Sequence, residues 1–179
     1  MGFRGTALVL GGARSGKSTW AEAQLADRGE VEYVATSELD PADAEWAGRV
    51  ELHRRRRPAG WRTTESLDLA SILASKDDAP VLIDCIALWL DRVLNDAGAW
   101  DDAPGWREKV EERVDELVEA VSRTRRSTIL VSNEVGLGVV PATSSGRLYR
   151  DELGRLNMRL AATVDAVWFC VAGIARRWD

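Results

Sequence analysis

The octet Gly11-Gly12-Ala13-Arg14-Ser15-Gly16-Lys17-Ser18 stands between a short apolar run, Thr6 to Leu10, and a segment rich in Ala, Leu and Glu that runs to Arg28 and stops at Gly29. It fits G-x-x-x-x-G-K-S/T, and a strand before it with a helix after it is the context in which that spacing has a physical purpose. Glycines let the backbone turn its N–H groups inward, and the first turn of a helix adds the positive end of its dipole. The result is a cradle for phosphate oxygens, in which Lys17 reaches the terminal phosphates and Ser18 can ligate Mg²⁺. This reading gives Gly11, Gly12, Ala13, Arg14, Ser15, Gly16, Lys17 and Ser18 to the phosphates of ATP or GTP. An ordinary glycine-rich turn is the competing reading. A dinucleotide-binding turn is excluded, because no G-x-G-x-x-G follows the first strand.

The rest of the chain alternates in the same way. Val31 to Thr36 reads as a strand, and after Asp40-Pro41 a helical stretch leads to the arginine cluster Arg54 to Arg57, where Pro58 ends it. Trp61 to Thr64 reads as a short strand and Leu67 to Ser75 as a helix. Val81-Leu82-Ile83-Asp84 is a continuous apolar run of the kind that suits a strand covered on both faces. From Trp106 to Val121 the apolar residues keep three- and four-residue spacing with charges between them, which predicts an amphipathic helix. Thr128 to Ser132 is a further buried strand, Ser144 to Thr163 a helix weakened at Gly154, and Ala166 to Val171 the last strand. Strands alternating with helices predict an α/β fold with a mostly parallel sheet flanked by helices, its ligands at the C-terminal edge of the strands. No repeat or composition break divides the 179 residues, so a single nucleotide-binding domain over 1–179 is expected.

Asp84 closes its strand, the position from which a carboxylate in enzymes of this class holds Mg²⁺ directly or through water. Capping a helix that starts near Ile86 is the other reading of Asp84. Ser18 and Asp84 are therefore the candidate metal ligands. A net charge of −5 argues against a nucleic-acid partner, whose binding would rest on Lys and Arg neutralising phosphates. No apolar run is long enough to span a membrane. The two cysteines, Cys85 and Cys170, sit inside apolar runs and form no spaced framework, which fits a reducing cytoplasm.

His53 is the one histidine, and it lies in Arg49-Val50-Glu51-Leu52-His53-Arg54-Arg55-Arg56-Arg57-Pro58. A lone histidine on a polar helix is ordinarily solvated, and an arginine run at a helix end is favoured by the macrodipole. Four consecutive arginines also repel one another unless an anion answers them, and a polyphosphate would do so. Their charge lowers the imidazole pKa, which keeps a ring nitrogen free to attack phosphorus. Residues alone leave both readings open.

Taken together, the octet, Tyr-Val-Ala-Thr-Ser at 33–37, His-Arg-Arg-Arg-Arg-Pro-Ala-Gly-Trp at 53–61, Asp-Cys at 84–85, Val-Ser-Asn-Glu-Val-Gly at 131–136 and Arg-Asp-Glu-Leu-Gly-Arg-Leu-Asn at 150–157 resemble the bifunctional adenosylcobinamide kinase / adenosylcobinamide-phosphate guanylyltransferase family of cobalamin biosynthesis. The resemblance spans nearly the whole chain. It implies a RecA-like P-loop NTPase fold, a trimer, and two reactions in sequence. A nucleoside triphosphate phosphorylates adenosylcobinamide, and GMP then passes from GTP to that phosphate with release of pyrophosphate. It further implies that His53, in the segment H-R-x-x-R-P-x-x-W, carries GMP as a covalent intermediate. The same carry-over gives Ala35, Thr36, Ser37, Arg54, Arg55, Arg56, Arg57, Glu65 and Asp84, beside the octet, to the guanine nucleotide. Ala87 stands where the family pattern has a threonine, and Gly98 to Gly105 matches no motif. Glu134 and Asp151, acidic residues in family-like segments, are candidates for activating the substrate hydroxyl. Two alternatives remain: a P-loop small-molecule kinase without a covalent step, and a nucleotide-switched binding protein, against which stands the lack of an Asn-Lys-x-Asp segment to read guanine.

Overall fold

Apolar strands that need cover on both faces find it in a seven-stranded sheet flanked by helices, in a computed structural model that describes residues 3–36 and 57–178. The strands are β1 (Thr6–Gly11), β2 (Val31–Ala35), β3 (Trp61–Glu65), β4 (Val81–Asp84), β5 (Thr128–Asn133), β6 (Ala166–Val171) and β7 (Ile174–Arg177). The helices are α1 (Lys17–Gln24), α2 (Leu69–Ala74), α3 (Ile86–Ala97), α4 (Trp106–Arg123) and α5 (Ser144–Ala161), with a 3₁₀ turn at Ala99–Asp101. The sheet order is β3-β2-β4-β5-β1-β6-β7. Strands β1 to β6 run parallel, and β7 runs antiparallel to β6. The central strands are sealed: Leu8, Val9, Leu82, Ile83, Ile129, Leu130 and Val131 are fully buried.

The amphipathic pattern of α4 places Trp106, Val110, Val114, Leu117 and Val121 in the core, as its spacing predicts. Asp68 caps α2 by accepting from the Ser71 N–H at 3.1 Å, and Thr143 caps α5 by accepting from the Gly146 N–H at 3.1 Å. The segment without a motif is a connector. Gly98 (φ 80°) closes α3 and Gly105 (φ 77°) opens α4, both in the left-handed region that glycine enters without cost from a side chain.

Two expectations are corrected. Helix α1 ends at Gln24 and not at Arg28, because Leu25 and Ala26 bond back three residues and tighten the chain into turns. Arg28 instead donates to the Phe3 carbonyl at 2.7 Å. Ala166–Val171 is not the last strand: Ala172 (φ 52°) and Gly173 (φ 79°) form a tight turn into β7. With only Ile174 strongly apolar among exposed or half-buried residues, β7 carries little pattern to read. The helix expected after Asp40-Pro41 lies outside the described residues.

At the N-terminal edge of the sheet, away from the expected ligand edge, a charged cluster is sealed in. Arg126, with its side chain 2% exposed, pairs with Glu32 at 2.7 Å and donates to the carbonyls of Ala79 and Ile72 and to Ser75 Oγ. Glu32 also accepts from Arg62 and Thr64. Every donor direction of the buried guanidinium is thereby used, the condition under which a charge tolerates burial.

Candidate active site

Strand β1 delivers the chain to Gly11, and the octet turns back into α1 within five residues. Arg14 (φ 56°) and Gly16 (φ 93°) take left-handed backbone to make that turn. Gly16 is the N-cap residue of α1 and has no side chain with which to cap it, so the first amides of the helix stay open to an anion. The Lys17 ammonium folds over the loop and donates to the Gly12 carbonyl at 3.2 Å. Ala13 and Arg14 are exposed, Gly12, Gly16, Lys17 and Ser18 half-buried, Gly11 and Ser15 buried. From behind, the β6–β7 turn supports the loop through the Gly173 N–H, which donates to the Ser15 carbonyl at 2.8 Å.

Asp84 ends β4 at the same edge. It stands opposite Val131 on β5, and Gly11 stands opposite Asn133, so the carboxylate and the loop flank β5 from its two sides. Two strand spacings put them on the order of 10 Å apart. Asp84 does not cap α3. Cys85 occupies the N-cap position, and the Asp84 Oδ2 accepts from the Tyr33 hydroxyl at 3.0 Å. The described Ser18 hydroxyl and Asp84 carboxylate are hard oxygen donors, a set that suits Mg²⁺ completed by water and phosphate.

The end of β2 lies beside β4, with Ala35 opposite Asp84. Thr36 is only 2% exposed, and its hydroxyl donates to the Cys85 carbonyl at 2.7 Å and accepts from the Cys85 N–H at 3.1 Å. Its side chain therefore faces the protein and not a ligand. Glu65, at the end of β3, is exposed opposite Ala35. Arg57 lays its guanidinium over the Tyr33 ring, 3.3 Å from the centroid, and donates to Thr63 Oγ1 at 3.0 Å. Ser37, His53, Arg54, Arg55 and Arg56 lie outside the described residues.

Burial pushes the Cys85 thiol up to about 12, helped by the Asp84 carboxylate and opposed by the Lys17 ammonium, so the thiol is no nucleophile here. Where the threonine of the family pattern is replaced by Ala87, the backbone carbonyl accepts from the Tyr149 hydroxyl at 2.9 Å. Glu134 follows β5 and bonds the loop through its N–H to the Gly11 carbonyl at 3.1 Å. Asp151 is exposed on α5 and paired with Arg150. Asn157, buried on α5, joins the Ser132 hydroxyl to the Asn133 carbonyl and so fixes the end of β5. The sequence segments around Tyr33 and Asn157 were visible, but their roles depend on partners 51 and 24 residues away.

The model for the cobinamide kinase / cobinamide phosphate guanyltransferase family matches residues 7–177. The bifunctional adenosylcobalamin biosynthesis protein CobU of Salmonella typhimurium is 42% identical over 176 residues, covering 93% of this chain and 96% of that protein. The protein of the same name from Escherichia coli is 39% identical over 175 residues, with the same coverage. Among solved structures, an ATPase from the type III secretion system of pathogenic bacteria matches with a TM-score of 0.54 at 13% identity, over 94% of this chain and 51% of that one. That last likeness is one of fold, the P-loop NTPase fold. With a family model matched almost end to end and relatives near two-fifths identity along their whole length, the chain belongs to the cobinamide kinase / cobinamide phosphate guanyltransferase family.

Proposed function

We infer that this enzyme phosphorylates the aminopropanol hydroxyl of adenosylcobinamide with a nucleoside triphosphate and then transfers GMP from GTP to the new phosphate, giving adenosylcobinamide-GDP and pyrophosphate. The observation that carries the reading is the match of residues 7–177 to the family, with the octet arranged as an open helix N-terminus beneath Lys17. In the kinase step the substrate hydroxyl oxygen attacks the γ-phosphorus as the bond to the β-phosphate oxygen breaks. Lys17 and the α1 amides meet the charge that develops on the leaving nucleotide. Glu134 and Asp151 are the candidates for taking the hydroxyl proton.

In the transferase step an His53 nitrogen attacks the α-phosphorus of GTP, and pyrophosphate leaves. The adenosylcobinamide phosphate oxygen then attacks the same phosphorus, the P–N bond breaks, and neutral His53 returns. Arg54, Arg55, Arg56 and Arg57 answer the phosphate charge, while Ala35, Ser37 and Glu65 border the guanine nucleotide. Thr36 contributes through its backbone, since its hydroxyl is engaged with Cys85. Mg²⁺, held by Ser18 and Asp84, supplies neutralisation of phosphate charge when bound. The reading keeps residues 1–179 as one domain and the enzyme as a cytoplasmic homotrimer. Among the described residues no helix is long and apolar enough to cross a membrane. The exposed Leu137, Val139 and Val140 offer apolar surface for such an assembly.

The two half-reactions separate this reading from a plain kinase. With adenosylcobinamide, ATP and GTP, the wild type forms the phosphate and then the GDP derivative, Lys17→Ala loses both, and His53→Ala stops at the phosphate. Full transferase activity in His53→Ala would remove the covalent step through His53, and a wild type that itself stops at the phosphate would favour a kinase in which His53 only clamps phosphate.

A further inference from the structure

Asp84 and the residue after it are held by side chains that belong to β2 and its end. The Tyr33 hydroxyl donates to Asp84 Oδ2 at 3.0 Å, and Thr36 clasps the next residue by both its N–H and its carbonyl. Tyr33 is 4% exposed, so a phenylalanine would fill its place in the core equally well. What the hydroxyl adds is one hydrogen bond to the carboxylate at the ligand edge. Facing a carboxylate oxygen that can only accept, the phenol is the donor of that bond. The ring is held in turn by Arg57, which Thr63 anchors.

We propose that Tyr33 and Thr36 are positioning residues for the metal-bound nucleotide: they commit one Asp84 oxygen to Tyr33 and set the backbone beyond it, leaving the other oxygen aimed at the metal. This rests on the reading of Asp84 as a metal ligand. A carboxylate already oriented loses little freedom when the metal arrives, so the assignment predicts a specific defect. Without the Tyr33 hydroxyl, GTP alone binds as before, but Mg²⁺ no longer strengthens its binding in full.

The test is the affinity for the α,β-methylene analogue of GTP, whose α-phosphorus cannot lose pyrophosphate to His53, measured by tryptophan fluorescence with Mg²⁺ and again with EDTA, on variants whose melting curves show a folded protein. Loss of one hydrogen bond to a charged group lowers the Mg²⁺-dependent gain in Tyr33→Phe about tenfold, with the EDTA value unchanged. Thr36→Val reproduces the defect and Thr36→Ser restores the gain, so the Thr36 pair decides the matter if Tyr33→Phe does not fold. Asp84→Asn abolishes the gain. If Asp84→Asn abolishes it while Tyr33→Phe and Thr36→Val keep the wild-type gain, the positioning role is overturned and the metal ligand stands. If Asp84→Asn itself keeps the gain, the ligand reading falls and the positioning role with it.

Discussion

The backbone N–H of Gly173 donates to the carbonyl of Ser15 at 2.8 Å, which joins the β6–β7 turn to the loop that carries Lys17. The approach is so close that a Cβ on Gly16 would meet Gly173 Cα at 2.9 Å, and Gly16 already holds φ at +93°. The phosphate loop is thus shaped from behind by the last strand pair as well as by its own glycines.

Gly16→Ala is therefore expected to fail twice, by left-handed strain of about 1–2 kcal/mol and by displacing the hairpin. A titration with GTP should show affinity lowered at least about tenfold. Wild-type affinity in this variant would mean that the loop does not need the contact.

The Glu32–Arg126 pair sets a pH dependence of stability. Burial opposes the Glu32 charge, but hydrogen bonds from Arg62, Thr64 and Arg126 outweigh it and hold the carboxyl below its ordinary value. Hydrogen bonds at Asp68 and Asp77 lower those carboxyls as well. Groups lowered in the folded state stabilise it fully above their unfolded values, near 4, and lose that contribution as pH falls through the lower folded values. Glu32→Gln should cost about 3 kcal/mol at pH 7, because it leaves the Arg126 charge buried without its partner. Melting temperatures of the two proteins should converge below about pH 4. A gap that persists at acid pH would contradict the assignment.

Both thiols should be inert in the folded protein. Burial raises Cys170 as it does Cys85, and among the described residues neither reaches solvent through more than 7% of its surface. A thiol reagent at pH 8 is expected to label neither until denaturant is added; rapid labelling of one would show an opening of the β4 or β6 end.

How far the sequence spoke for itself differs from element to element. The octet, the apolar runs of β4 and β5 and the spacing of α4 are local signals, and each lies within a residue or two of its expected place. Strand β7 escaped because four half-buried or exposed residues carry no alternation, and its pairing partner supplies the order. At the site, the octet and Asp84 were legible from spacing. The inward turn of Thr36, the bond from Tyr33 to Asp84 and the support from Gly173 were not, since each joins segments separated by 49 residues or more.

Covalent transfer through His53 can be read from intact mass after incubation with GTP and Mg²⁺. The wild type is expected to gain one GMP that mild acid removes, as a phosphoramidate requires, and His53→Ala to gain nothing. No gain in either protein, with GTP shown to bind, or an equal gain in both, would contradict it.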